Sequence, residues 1–176
     1  MEAVKKLEKM IEGWLKPVPH LPTSWQKWLG ENVWWLNLIG VILTALALLA
    51  GIGAILTALS LMGAANSFYG YYYAQSYSSW WVLSAVVSLI GVVVTLTLTA
   101  MAISPLKDQK RKGWDLLFMA TVVSVVMSVV STILNFNVYS FVPSLVGTAI
   151  GAFIGMYLLY EIRSHFNAAT VVEKKK

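Results

Sequence analysis

Cysteine is absent from this 176-residue chain. That removes a disulfide framework, a thiolate nucleophile and any cysteine-based metal site. Histidine occurs only as His20 and His165, so the side chains that acid–base and metal chemistry recruit most often are nearly missing. Charge is scarce as well. Asp, Glu, Lys and Arg make up 12% of the chain, against about a quarter in a soluble domain. No charged residue occurs from Asn32 to Leu106, nor from Leu116 to Tyr160. No Asn-x-Ser/Thr glycosylation acceptor is present. Residues 1–30 hold no continuous apolar core of the signal-peptide kind, so a retained N-terminus is expected.

Apolar residues fill the space. They make up 58% of the chain, and its mean hydropathy is +0.70. About 20 such residues cross the roughly 30 Å of hydrocarbon in a bilayer. Four runs reach that length: 33–61, 80–103, 114–134 and 143–162. The expected fold is all-α, an integral membrane four-helix bundle with an amphipathic interfacial helix before it. That helix belongs to a segment 1–32. Val4, Leu7, Ile11, Trp14 and Leu15 fall on one face at helical spacing, with Lys5, Lys6, Glu8, Lys9 and Glu12 opposite. Pro17, Pro19 and Pro22 end it. A short second helix carrying Trp25 and Trp28 precedes the first span. Ser104-Pro105 is expected to end the second span, and Pro143 to sit in the first turn of the fourth. Residues 163–176 form a basic tail.

Every Lys and Arg falls on one side of a four-span chain. Lys5 to Lys27 precede the first span, Lys107, Lys110, Arg111 and Lys112 lie between the second and third, and Arg163 to Lys176 follow the fourth. The connections 63–79 and 135–142 have none. The positive-inside rule puts both termini in the cytoplasm. A net charge of +5 with this distribution argues against nucleic acid and for membrane lipid as the partner. Lys107, Lys110, Arg111 and Lys112 are the candidate contacts to anionic lipid. Trp28, Trp34, Trp35 and Trp114 mark the inner interface, with Tyr157 and Tyr160 near it. Trp80, Trp81 and Tyr139 mark the outer one, beside a Tyr-rich connection at Phe68 to Tyr77.

Small residues recur in the spans. Gly40, Thr44, Ala47, Gly51, Ala54 and Ala58 step by four and three, as do Thr121, Ser124, Ser128, Ser131 and Asn135. Span two offers Ser84, Ser88, Gly91, Thr95 and Thr99. Such seams bring helices together, and the near-3.5 repeat predicts shallow left-handed crossings. The alternative is a polar path for a solute along Ser84, Ser88, Thr95, Thr121, Ser124, Ser128 and Ser131. Span four carries Gly147, Gly151 and Gly155, a doubled GxxxG face. It suits a close contact with an internal neighbour, or with the same helix of another subunit. Gly40 and Gly51 are packing candidates of the same kind.

Sites of chemistry are hard to find. Glu161 and His165 are four apart and read as an interfacial pair beside Arg163. No ionisable group lies at mid-depth, which argues against a proton-coupled carrier. No catalytic, metal or cofactor residues are expected. The chain reads as a non-enzymatic scaffold or accessory subunit acting on a membrane-protein partner or as a homo-oligomer. A passive pore lined by Ser and Thr of spans two and three is the alternative.

Several stretches carry a likeness. Ser104-Pro105-Leu106-Lys107 through Lys112-Gly113-Trp114, Glu161 to Phe166, Val18 to Pro22 and the Trp34-Trp35 pair resemble a group of small four-span bacterial inner-membrane proteins with no assigned activity. The resemblance implies a bacterial cytoplasmic membrane and a four-helix fold, and it brings no functional residues.

Overall fold

The computed structural model describes the backbone of residues 2–69, 75–136 and 138–166, and the side chains of 6–61, 63, 82–136 and 139–166. Five helices follow in order: α1 Glu2–Leu15, α2 Thr23–Tyr69, α3 Gln75–Lys107, α4 Arg111–Leu134 and α5 Val138–Glu161. No strand occurs among the described residues. Four stretches are long and apolar enough to cross a membrane: Thr23–Leu61, Val82–Lys107, Arg111–Leu134 and Tyr139–Glu161. The chain is an all-helical bundle with the make-up of a multi-pass membrane protein. The Tyr-rich stretch 68–77, apart from its helical backbone at each end, lies outside the described residues. So do the side chains of Trp80 and Trp81 and the tail beyond Phe166.

Three boundaries differ from the expected ones. The break between a short Trp25 helix and the first span is absent, and α2 runs unbroken for 47 residues. Its start is Pro22, whose carbonyl accepts from Trp25 N at 2.9 Å and Gln26 N at 3.1 Å. Nothing downstream removes a backbone donor, so the helix continues. At 1.5 Å per residue it is about 70 Å long, over twice the thickness of the hydrocarbon. Pro105 does not end α3. The helix closes two residues later, where Lys110 N donates to Pro105 O at 2.8 Å and Gln109 N to Leu106 O at 3.0 Å. This is the Schellman arrangement, with Gln109 left-handed at φ 54 where glycine is usual. Pro143 lies inside α5, which begins at Val138. The backbone bond lost there falls beside an end where Tyr139 is 91% exposed.

The helices pack in chain order, α2 on α3, α3 on α4 and α4 on α5, with α3–α4 the most extensive seam. Asp108 to Lys110 turn α3 tightly into α4. A Cβ on Gly113 would stand 2.7 Å from Leu106 N, so only glycine lets the first turn of α4 lie on the end of α3. Further along, Ser84 and Gly91 are buried, and the Ser88 and Ser131 hydroxyls share a hydrogen bond of 3.1 Å. The α2–α3 seam is fastened by Asn37 Nδ2 donating to Thr99 O at 2.7 Å. Beyond it the two helices part. A groove of ≈ 580 Å³ opens between Leu43, Ala47 and Gly51 on one side and Ala85, Ser88 and Leu89 on the other.

Buried apolar residues gather at one end. Leu15, Ala102, Leu106, Trp114, Phe118, Met156, Leu159, Ile162 and Phe166 form one core where α1 and the ends of α3, α4 and α5 meet. None of the most apolar stretch of α2 is buried within the chain. The packing expected of Gly40, Gly51, Gly147 and Gly151 is therefore not made inside the chain: a Cβ on any of them would meet nothing within 4 Å. Gly155 alone of this set meets a neighbour, Thr121 Cγ2 at 3.8 Å. The reason is the splay of the helices away from the common core.

Candidate functional site

The charged end of the molecule is a built network. Its centre is Trp114, with no exposed surface. The indole Nε1 donates to Leu159 O at 2.7 Å. The ring stacks on Phe118 at 5.3 Å and meets the Tyr160 edge at 5.6 Å. The Arg111 guanidinium covers it at 4.1 Å. Trp114 is thus a core residue and not the interface ring its position suggested. The arginine lid and the α5 carbonyl satisfy its polar features, so it can be enclosed.

Arg111 and Arg163 are the two arginines of the sequence, and both donate to Glu8 Oε1 at 2.6 Å. Arg163 Nη1 also reaches Glu12 Oε2 at 2.7 Å. Tyr160 donates its hydroxyl to Glu8 O, and Tyr157 donates to Pro19 O at 2.6 Å. Glu8 and Glu12 are one turn apart on α1, so a single face clamps the ends of α4 and α5. The hydrogen bond from Arg163 holds the Glu12 carboxyl below the usual range, helped by the charges of Arg163, Lys16 and Lys9 against its burial. Burial works against the Arg163 charge, yet the bond to Glu12 and the charges of Glu8 and Glu12 raise its pKa above the ordinary value. A forked, permanently charged guanidinium makes these several bonds where an ammonium would make fewer.

The pairing expected between Glu161 and His165 is not formed. Glu161 is buried and turned toward the strap 17–26. Its Oε1 meets His20 Nδ1 at 2.7 Å, and its Oε2 accepts from Leu21 N at 2.9 Å and Gln26 Nε2 at 2.8 Å. His165 instead packs on Gly30 of α2, where a Cβ would stand 2.7 Å from its ring. The backbone tightens after Glu161, with His165 N bonded to Ile162 O at 3.1 Å, and this rotates the two side chains apart. Both Glu161 oxygens are occupied, so the carboxylate anchors the strap.

Of the candidate lipid contacts, Arg111 is turned inward. Lys107 lies 5.6 Å from the centre of the Trp34 ring, and Lys110 pairs with Asp108 at 2.9 Å. Lys112 is exposed. The position of Arg111 on the first turn of α4, three residues before Trp114, aims it across the indole. Among the described residues no group of three His, Asp or Glu could hold a metal ion.

The candidate polar path divides in two. Ser88 and Ser131 bond across the α3–α4 seam, Ser88 also bordering the α2–α3 groove, and Ser84 is buried. Thr95, Thr121, Ser124 and Ser128 open with Thr99 and Thr148 into a separate groove of ≈ 320 Å³ between α3, α4 and α5, floored by Ala120 and Gly151. Sequence reading grouped them because spacing along one helix does not say which neighbour each step meets. The choice of arginine at only two of the basic positions was the one signal for the α1 clamp. No family model, curated protein or solved structure matches the chain.

Proposed function

We propose that this chain is a non-enzymatic scaffold or accessory subunit of a bacterial cytoplasmic membrane, with both ends in the cytoplasm, acting by docking a partner within the bilayer. The groove between α3, α4 and α5 carries this reading. It presents hydroxyls near the middle of the spans and is only partly enclosed. A hydroxyl in hydrocarbon gains from a helix that returns its hydrogen bonds. The rigid clamp at the basic end holds α4 and α5 while leaving that groove uncovered. The one-sided Lys and Arg distribution supports the orientation, and the resemblance to small bacterial inner-membrane proteins supports the compartment. A passive pore is the second reading, favoured by the same hydroxyls. Because the groove is only partly enclosed, a second chain would have to seal it. Purified protein in liposomes separates the two. The docking reading expects no rise in permeability, and loss of a co-purifying protein in Ser124→Leu and Ser128→Leu variants that still fold. Flux abolished by those substitutions would overturn it in favour of the pore.

A further inference from the structure

The two flanks of α1 are used in opposite ways. On one, Glu8 and Glu12 are both taken up inside the molecule, Glu8 by Arg111 and Arg163 and Glu12 by Arg163. Leu7, Ile11 and Leu15 run along the middle and pack on the core. On the other flank Lys6, Met10 and Trp14 follow at steps of four, a spacing that sets them in one row. All three are exposed, Trp14 at 67%. Lys9, on the outer side of the helix, is exposed as well. Neither Lys6 nor Lys9 forms an ion pair among the described residues. Read as sequence, α1 mixes lysine with glutamate. Folding turns Glu8 and Glu12 to the arginines and leaves these lysines outside.

Beside this row lies a slot of ≈ 440 Å³, walled by Trp14 of α1, Val122 and Val126 of α4, and Ala149 and Met156 of α5. No charged or hydroxyl side chain lines it. Between Met156 and Ala149 it runs about 10 Å along α5, some two-thirds of one leaflet's share of about 30 Å of hydrocarbon. Its occupant must therefore be apolar over that length and anionic at the end that meets Lys6 and Lys9. A spanning helix fits poorly, because α1 lies across the basic end of the α4–α5 seam, held there by Arg111 and Arg163. We propose that the row and the slot hold one anionic phospholipid of the leaflet at the basic end. Its headgroup meets Lys6 and Lys9, the Trp14 indole sits at the boundary, and an acyl chain fills the slot. This moves the anionic-lipid contact from the α3–α4 turn, where Arg111 is engaged internally, to α1. The inference goes beyond the docking reading, which concerns the groove between α3, α4 and α5, and rests only on the chain spanning a bilayer.

The chain has no cysteine, so one fluorophore can be placed beside the site at Gly13→Cys, where a Cβ meets nothing within 4 Å. The full chain is reconstituted in phosphatidylcholine bilayers with a small, equal fraction of spin-labelled quencher lipid, either phosphatidylglycerol or phosphatidylcholine. The anionic quencher should be preferred at least about fivefold, the effect of one lysine at an anionic surface. Lys6→Gln/Lys9→Gln should bring the preference to one at an unchanged melting temperature. Ala149→Phe, which fills the slot from an exposed position, should lower quenching by a similar factor. Lys107→Gln/Lys112→Gln should leave the preference intact. In native membranes a photocrosslinker at the exposed Val126 should label phospholipid. No anionic preference, or one that survives Lys6→Gln/Lys9→Gln or Ala149→Phe, would overturn the proposal. So would its loss in Lys107→Gln/Lys112→Gln, or a Val126 crosslink to a second copy or another protein. A chain that alkaline carbonate strips from the bilayer sinks the spanning reading and this one together. A chain that stays in the bilayer and shows no preference sinks this one alone.

Discussion

Gly113 and Gly91 show how differently two buried glycines of one helical hairpin are used. A Cβ on Gly113 runs into the backbone of Leu106 at 2.7 Å, which cannot yield without moving the turn. A Cβ on Gly91 meets Met127 Cε at 2.6 Å, the far end of a flexible side chain. Overpacking of the first kind costs about 1–3 kcal/mol. Gly113→Ala should therefore lower the melting temperature clearly, and Gly91→Ala should change it little. Equal losses would mean that the turn is not the constraint. At Glu12 the linkage has a definite sign. Its carboxyl is held below the ordinary range by Arg163, so its share of α1 docking is present above that range, near 4.3. That share is lost as pH falls through the depressed value. The protection factor of the amides over residues 6–15, taken against the intrinsic rate at each pH, should be high at pH 7 and fall in acid, and Glu12→Gln should remove part of that acid-dependent fall. An acid response unchanged in Glu12→Gln would rule this assignment out.

The amphipathic character of α1 suggested a helix lying in the headgroup layer. Leu7, Ile11 and Leu15 of its apolar face pack on the common core, while Trp14 of the same face stays exposed. Its acidic residues face the same way, because Glu8 and Glu12 are taken up by the two arginines. Periodicity identified the faces of the helix, while only the position of Arg111 and Arg163 decided which surface received them. Loss of a hydrogen bond to a charged group costs about 1.5–3 kcal/mol. Glu8→Gln should thus weaken α1 docking measurably, seen as faster proteolysis within residues 6–15. Arg111→Lys should lose more than a surface Lys change such as Lys112→Ala, because an ammonium cannot cover Trp114 and hold Glu8 together. A neutral Arg111→Lys would reduce the clamp to a surface ion pair.

At the scale of the whole molecule, the helices converge at one end, α3 and α4 stay packed along their length, and grooves open beside that pair. The proposed orientation is tested by cysteines placed in the cysteine-free chain. Lys112→Cys should react with an impermeant thiol reagent only in opened membranes, and Tyr139→Cys in intact cells. Labelling of Lys112→Cys from outside would reverse the topology. The four long helices and their order were legible because hydrocarbon demands long uninterrupted apolar runs, and because charge has nowhere else to sit. The seams were only half legible. Small-residue spacing fits any close neighbour, and so it pointed equally to Gly91, which is packed, and to Gly51, which is not.

By itself the sequence determined what local rules can fix: helical runs of spanning length, the one-sided placement of Lys and Arg, and the absence of any charge at mid-depth. Each follows from composition along a single segment. The tertiary structure decided the rest, because it depends on residues far apart in the chain meeting. Such meetings turn Trp114 from an interface ring into a core residue, give Glu161 to His20 and the strap, bring both arginines to Glu8, and divide one row of hydroxyls into a closed seam and an open groove.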